Sequence, residues 1–515
     1  MAGLQTFQEV AFGSGKSTAA QFESYAARCL RYSVNWAYYE NTQYIQVINS
    51  WAEGMKTKVP TLYKHIRSIY NPVQRVGDFW QAAIWRGSLS PTAADEGAIP
   101  IKIGDSANEK TLRPLIAQVN KWSNWDANKD VHTLYGSVLG DALIYIREDR
   151  ERQQVRTENV HPSELANAQI DNMGFVKAYT IEYMRIDNDG KSAKYRETCR
   201  HLRENESLYN TDGTLVTGKP WILFETYRDG NPYVWDGNPS TNGENWWVTD
   251  WGFCGLVLTK HIDIGLDFGY CEFHAQSGKI NEQNDQASLL NDQIRKSVNA
   301  KWGVTGAKPT GTIRKTATTP TADRPEPERE EENIIYLGEG AVVPMVAPVD
   351  VAQVLTNIQA IQAEIENDLP ELKQEVWAGG SGPSDSTILA ARGRVEGKVQ
   401  KRRNAYDTGY IRAMQMAITV GALAGYEGFT VYNGESYANG ELDFSISERP
   451  AFPPQPSEER AKMADFWNGW AALETNGVTT FRSYASSYGM SEQFIADYEA
   501  EQLKRAKASK TAVGL

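Results

Sequence analysis

Two kinds of residue pattern in this sequence could support chemistry. The first occupies residues 13–18, Gly-Ser-Gly-Lys-Ser-Thr, and is close to a phosphate-binding loop. Such a loop has the spacing G-x-x-x-x-G-K-[ST], and Val10 stands where its first glycine belongs. No apolar strand precedes the segment, so no sheet would hold a helix N-terminus against a phosphate. We predict no cofactor-binding site here. A nucleotide hydrolase that uses Lys16 and Ser17 stays open as the alternative.

Paired carboxylates form the second pattern. Asp126 with Asp130, and Asp263 with Asp267, could share a proton or a metal ion. No histidine or third acid lies at a helpful spacing, which favours solvated helix faces instead. The four cysteines form no CxxC pair and the six histidines no HxxxH pair. The sequence therefore predicts no catalytic site, no metal site and no enzyme activity.

A basic stretch between residues 392 and 412 could bind an anion. Its first members are Arg392, Arg394, Lys398, Lys401, Arg402 and Arg403. These side chains could face phosphates, or acidic neighbours across an interface. A solvated helix face explains the pattern equally well.

Length and charge limit the classes of function. A chain of 515 residues is too long for one ordinary core, so two or more packed regions are expected. The 65 acidic and 53 basic residues give a net charge of −12. Proteins that bind duplex DNA tightly usually have a positive net charge instead. An acidic surface fits a protein past which DNA slides, or one without a nucleic-acid role. We find no signal peptide or membrane-length apolar run, and so expect a soluble protein that is not exported.

The elements that must position these residues follow from periodicity. Residues 20–135 have mainly helical spacing, with helices predicted at 59–70, 72–86 and 112–122. Residues 136–260 are predicted to form an antiparallel sheet region packed on those helices. Its clearest strands are Ala142–Arg147, Phe175–Ile186 and Trp221–Tyr227, separated by Asp-Gly and Asn-Pro turns. The pattern predicts an α+β fold that is mostly α-helical.

Two polar helices with narrow apolar stripes come next. One spans 274–301, and the other begins after Asp350 and ends by Pro370. Each is too polar for a core, and each should pack through one stripe only. The predicted packing residues are Ile280, Leu290, Ile294, Val298, Ile358, Ile361 and Ile365.

Glycine and proline interrupt the regular spacing in the remaining segments. Residues 303–347 contain strand-like pieces at 312–314 and 334–337 around an acidic run at 324–332. A glycine-rich loop at 379–384 precedes a third helix, predicted from Asp385 or Ser386 to about 424. Extended residues 443–446, a proline cluster, and helices at 457–475 and 491–508 complete the chain.

The order of elements from 72 to 510 resembles the portal proteins of tailed double-stranded DNA bacteriophages. Four stretches carry the resemblance: the helix at 72–86, the glycine-bearing segment Tyr135–Ala142, the turn Val160-His161-Pro162, and the helix-Gly-Val-Thr-Thr-helix pattern within 457–508. The succession of long helix, inserted sheet, helix, glycine-rich loop and long basic helix is also similar.

The resemblance implies a portal fold with named regions. They are a wing at 1–270, a stem helix at 271–302, a clip at 303–347, a second stem helix at 348–372, a tunnel loop at 373–386, a long wing and crown helix at 387–428, and a crown with C-terminal tail at 429–515. The implied tunnel-loop residues are Trp377, Gly379, Gly380, Ser381, Gly382, Pro383 and Ser384. The implied clip docking residues are Lys308, Thr312, Arg314 and Lys315.

The same resemblance implies a function without enzyme chemistry. Such subunits form a ring, usually of twelve, at one capsid vertex, through which DNA is packaged and ejected. The implied partners are further copies of the chain, the terminase large subunit, a head–tail adaptor, the major capsid protein and scaffold, and the DNA in the channel, with no membrane. The implied location is the virion, preceded by the host cytoplasm during assembly. Another virion subunit, such as a capsid or tail protein, remains an alternative.

Overall fold

The fold combines α-helices with antiparallel sheets, and the chain divides into two compact units, Met1–Arg449 and Pro450–Leu515. The computed structural model describes residues 23–43, 70–85, 103–104, 106–186, 190–209, 213–218, 220–235, 243–298, 302–305, 334–337, 351–373, 385–446, 456–476, 480–488, 490 and 492–512. Within these residues, no helix is both long and apolar enough to span a membrane.

The first unit begins with helices, as predicted. They are α1 (Tyr25–Tyr39), α2 (Val73–Trp85), α3 (Ala107–Trp122) and α4 (Trp125–Leu134). Ser106 and Glu109 form a reciprocal capping box that fixes the start of α3. The predictions at 72–86 and 112–122 are confirmed, whereas the predicted helix at 59–70 lies almost entirely outside the described residues.

Two antiparallel sheets follow a single π-helical turn at Tyr135–Leu139. Their strands are β1 (Asp141–Asp149), β2 (Gln154–Val160), β3 (Leu165–Ile170), β4 (Val176–Ile186), β5 (Ser192–His201), β8 (Ile222–Arg228), β9 (Asn231–Pro232), β10 (Trp246–Thr249) and β11 (Leu256–Lys260). A separate hairpin consists of β6 (Ser207–Tyr209) and β7 (Leu215–Thr217). One sheet has the order β11-β1-β2, and the other has β10-β8-β5-β4-β3 with β9 on β8. The three predicted strands are confirmed as β1, β4 and β8.

The two sheets share an apolar core because alternate residues of their strands point toward each other. Leu143 of β1, Tyr179 of β4 and Phe224 of β8 are buried in it. On its other side, the three-stranded sheet packs against α3, α4 and the long helix described below. The helices and sheets of the first unit therefore form one packed body.

A pair of helices leaves this body. It consists of α5 (Ser277–Val298) and α6 (Val351–Asp368), which confirms both predicted polar helices. Beyond them, β12 (Trp302–Thr305) pairs in parallel with β13 (Ile334–Leu337). Of these strands, β13 was predicted and β12 was not. The predicted strand at 312–314 lies outside the described residues.

A long helix, α7 (Asp385–Leu423), packs against several other elements of the first unit. Its 39 residues span about 58 Å at 1.5 Å per residue. Its buried side chains, such as Tyr410 and Ile418, pack against both the sheet and the N-terminal helices. The short helix α8 (Gly434–Ala438) follows, and Ile446 bridges to Ile103, as the predicted extended segment suggests.

The second unit has an aromatic core of its own. Its helices are α9 (Pro456–Asn476), α10 (Phe481–Ser487) and α11 (Glu492–Ala512). The rings of Phe466, Trp470 and Phe481 pack together, and the rings of Phe481 and Tyr498 stack with centroids 3.9 Å apart. The helices predicted at 457–475 and 491–508 are confirmed, and α10 was not predicted.

His132 gives the first unit a dependence on pH. It is fully buried, and burial lowers its pKa from 6.5 to about 3. Neither ring nitrogen has a hydrogen-bond partner among the described residues. Below pH 6.5 the unfolded chain takes up a proton that the folded chain refuses, so stability is lost as pH falls toward 3. We expect replacement by phenylalanine to remove up to ~1.4 kcal/mol per pH unit of that loss.

Urea unfolding at pH 7.5, 6.5, 5.5 and 5.0 measures this effect. Other buried histidines also contribute to the slope in the wild type, so the quantity of interest is the difference between the wild type and His132→Phe. A difference that stays constant between pH 7.5 and 5.0 would contradict the assignment.

Candidate functional site at the base of the helical hairpin

Helices α5 and α6 form an antiparallel hairpin, here called the helical hairpin. Lys279 Nζ, near the start of α5, lies 2.8 Å from Asp368 Oδ2 at the end of α6. About two turns further along α5 and three turns back along α6, Asn357 Nδ2 donates to Gln286 Oε1 over 2.7 Å. The register runs in opposite directions on the two helices, so both ends that adjoin the body lie side by side.

Burial along the helical hairpin decreases away from the body. Ile280 and Ile365, near the body, are fully buried, whereas Ile294 is 39% exposed. Leu290, Ile358 and Ile361 are partly buried. The Val298 side chain lies outside the described part of the structure. Near the body α5 also buries polar groups, since the Asn284 side chain exchanges two hydrogen bonds with the backbone of Tyr70. The apolar stripe is therefore fully covered near the body, and Ile294 further out is more exposed.

A buried ionic network, here called the base cluster, lies where the helical hairpin joins the body. Its members are His261, Glu272, Glu371, Lys398 and Arg402. Glu272 precedes α5, Glu371 lies in a turn just after α6, and Lys398 and Arg402 project from α7 one helical turn apart. The base cluster thus joins both ends of the helical hairpin to one helix.

Glu272 is the centre of the base cluster, with its side chain only 2% exposed. Its Oε1 lies 2.7 Å from Lys398 Nζ, and its Oε2 accepts from Arg402 Nε over 3.0 Å. The same Oε2 lies 2.7 Å from His261 Nε2, while His261 Nδ1 lies 2.9 Å from the Tyr406 hydroxyl. A neutral His261 that donates to Glu272 and accepts from Tyr406 satisfies both contacts.

Lys398 connects the two carboxylates. Its Nζ donates to both oxygens of Glu371, over 3.0 and 2.9 Å. It also lies 5.8 Å from the centroid of the Trp80 ring, which meets the His261 ring edge-on. One lysine therefore binds a residue at each end of the helical hairpin, beside the Trp80 ring.

Burial and charge set the protonation of the base cluster. Burial alone would raise the pKa of Glu272, but the His261 hydrogen bond and the charges of Lys398 and Arg402 bring it well below its usual range. Burial lowers the pKa of His261 and raises that of Glu371. At neutral pH the cluster therefore holds an ionised Glu272 and a neutral His261. The polar groups of the base cluster bind one another, so the cluster fixes the position of both ends of the helical hairpin relative to α7.

The predicted role of the basic stretch needs correction for three residues. Arg403 is 2% exposed and donates to the carbonyl oxygen of Ala83 over 3.0 and 2.6 Å, so it faces the body. Lys398 and Arg402 are committed to the base cluster, with side chains 20% and 11% exposed. They do face acidic neighbours, but in the same chain. Arg394 and Lys401 are exposed, and Arg392 is half-buried.

Three groups of residues from the sequence analysis lie outside the described part of the chain. The tunnel-loop set Trp377, Gly379, Gly380, Ser381, Gly382, Pro383 and Ser384 lies outside the described residues, as does the clip set Lys308, Thr312, Arg314 and Lys315. Lys16 and Ser17 are also outside them.

The paired carboxylates do not meet a third ligand. Asp126 pairs with Lys129, and Asp263 Oδ1 lies 3.7 Å from Lys260 Nζ. In the described part of the chain, no three His, Cys, Asp or Glu side chains are grouped to hold a metal ion. The four cysteines are free thiols.

Sequence reasoning missed Glu272 and Glu371. A usable signal was the spacing of Lys398 and Arg402, because residues four apart share a helix face. Glu272 also lies between Cys271 and Phe273, an apolar setting in which a carboxylate needs a partner. No protein-family model matches the chain, and no curated protein matches it significantly.

Proposed function

We propose that this chain is the ring-forming portal subunit of a tailed double-stranded DNA bacteriophage. In this role a ring at one capsid vertex conducts DNA during packaging and ejection, without enzyme chemistry in the subunit. Support comes from the order of elements: an α+β body, a polar helical hairpin with a paired-strand insertion, a long helix, and a helical C-terminal unit. In the portal terms introduced above, these would be the wing, the stem with its clip, the long wing and crown helix, and the crown, in a fold that is mostly helical.

The helical hairpin is the observation that carries the proposal. Helix α5 is about 33 Å long, and it buries its seam fully only near the body. Further out, Ile294 on α5 and Leu355 on α6 are 39% and 46% exposed. A polar rod with a partly covered apolar edge suits identical copies that stand side by side around water. The base cluster would hold every copy at the same angle.

The charge of the chain is compatible with a conduit. A net charge of −12 disfavours tight attachment to phosphates, which would stop DNA from moving. The remaining partners in this proposal are the terminase large subunit, the head–tail adaptor, and the capsid and scaffold proteins. With these partners, the chain would act in the virion.

Negative-stain imaging and mass photometry of the purified chain test the proposal. We expect closed rings with a central hole and a mass close to twelve subunits. A strictly monomeric chain, or an open filament or sheet, would contradict it and favour another virion subunit.

A pair of variants sharpens the test. Ile294→Asp is expected to change the free energy of unfolding by less than ~1 kcal/mol, because a partly exposed site can hydrate the charge. It should nevertheless abolish or weaken ring formation. Ile365→Asp places a charge at a fully buried position and should destabilise the subunit itself. Rings that form normally with Ile294→Asp would remove the stem assignment.

The rival proposal is a nucleotide hydrolase that uses Lys16 and Ser17. It predicts ATP turnover by the purified chain that disappears in Lys16→Ala. Turnover of this kind would overturn the conduit proposal, and turnover equal in both proteins would exclude Lys16 from the reaction.

A further inference from the structure

A cleft of about 480 Å³ is lined by residues of both sheets of the first unit. One wall is the face of the six-stranded sheet around Tyr183, Tyr195 and Phe224, and the other is the β1–β2 hairpin. The cleft is separate from the base cluster, with which it shares no residue. Its volume lies within the range of sites that enclose a small ligand or one large side chain.

Aromatic side chains dominate the sheet wall. The Tyr183 and Tyr195 rings stack at 5.7 Å, and the Trp235 ring meets both edge-on at 5.9 Å. Trp247 stacks on Phe224 at 5.0 Å. Trp235 and Trp247 both remain partly exposed. This wall suits a flat or bulky apolar group.

The charges that line the cleft cancel. Four arginines and four carboxylates contribute to it. On the β1–β2 hairpin, Arg150 lies 3.2 Å from Glu148, and Arg156 lies 3.2 Å from Asp149. A strongly charged occupant would therefore find no net attraction, whereas a neutral occupant with both donors and acceptors would find partners for each.

Glu197 provides a polar anchor at the base of the cleft. It is only 4% exposed, and the hydroxyls of Tyr145 and Tyr179 both donate to its Oε1, over 2.8 and 3.0 Å. Both hydroxyls bind the same oxygen, and Glu197 also lines the cleft. A buried carboxylate oxygen gains free energy from a donor, such as an amide N–H of an occupant.

We propose that this cleft binds an uncharged polypeptide segment, which inserts one aromatic side chain between the two sheets. A backbone amide would donate to Glu197, and the arginines of the hairpin would donate to peptide carbonyls. Tryptophan, tyrosine and arginine, which line the cleft, are the residues that dominate binding at protein interfaces. The proposal does not depend on ring formation.

Selection from a random peptide library displayed on a carrier tests the proposal, with the full chain as target. Trp235→Ala is the counter-target, because Trp235 lies outside the apolar core between the sheets. We expect enriched peptides with a shared Trp, Phe or Tyr among uncharged residues. They should bind Trp235→Ala and Glu197→Gln at least ten-fold more weakly than the wild type.

Met184→Ala is the matched control, since Met184 neighbours Tyr183 on the same strand and is 65% exposed. It should bind as the wild type does, and circular dichroism should show all three variants folded. If Trp235→Ala is misfolded, Glu197→Gln alone decides. No enrichment, equal binding by wild type and Glu197→Gln, or selection of highly charged peptides would overturn the proposal. Binding of neutral oligosaccharides in place of peptides, on a glycan array, would also overturn it.

Discussion

Glu272→Ala is expected to lower the free energy of unfolding of the first unit by about 3–5 kcal/mol, because removing one partner of a buried ion pair leaves the others uncompensated. Lys398 and Arg402 would both lose their shared carboxylate, and His261 would lose its acceptor. Lys398 would keep only Glu371, whose pKa is already raised by burial. Urea or thermal unfolding followed by circular dichroism measures the loss.

Glu282→Ala is the matched control, because Glu282 is an exposed glutamate on the adjacent helix α5. It should change the free energy of unfolding by less than ~0.5 kcal/mol. The double variant Glu272→Ala, Lys398→Met should recover part of the loss, because it removes one stranded charge along with its partner. A single Glu272→Ala variant as stable as the wild type would show that the base cluster does not hold the helical hairpin.

Gly140→Ala is expected to cost about 3 kcal/mol or more, and to reduce the yield of folded protein. Gly140 has φ +107°, where a side chain is strained. An added Cβ would also lie 2.7 Å from the Gly269 carbonyl oxygen and 2.8 Å from the Tyr270 carbonyl carbon. Those are backbone atoms that cannot rotate away. Thermal unfolding of the purified variant measures the effect.

Gly265→Ala separates the two causes. Gly265 also has positive φ, +85°, but a Cβ there would meet nothing within 4 Å. It should therefore show only the conformational cost of about 1–2 kcal/mol. Equal losses in the two variants would mean that the close approach of the chain at Gly140 and Gly269 adds nothing.

The helices and strands of the body could be predicted from local pattern. Apolar spacing placed α2, α5 and α6, an N-cap after the glycine-rich loop placed α7, and apolar runs between turn residues placed β1, β4 and β8. Several short elements were not predicted one by one, and two of them show why. Strand β12 has the sequence Trp-Gly-Val-Thr, whose glycine indicates a loop. Helix α10 has only seven residues and depends on the aromatic core around Phe481.

The base cluster could not be predicted, because its members come from four separate segments between 261 and 402. Periodicity shows that Lys398 and Arg402 share a face, but it does not show what that face meets. A basic face can turn toward solvent, toward a partner or toward acids of its own chain. Arg403 illustrates the limit, since a fully charged side chain is buried on the backbone carbonyl of Ala83.

Lys398 binds an acid beside each end of the helical hairpin, so the two helices share one attachment to α7, next to the buried contacts of Ile280 and Ile365. A rotation of about 5° of the helical hairpin about its base would move the far end of α5 by about 3 Å, given its length of about 33 Å. The two legs would swing together, since one ammonium group binds the acid beside each. A small change in the tilt of the helical hairpin at its base would thus become a larger displacement at its tip.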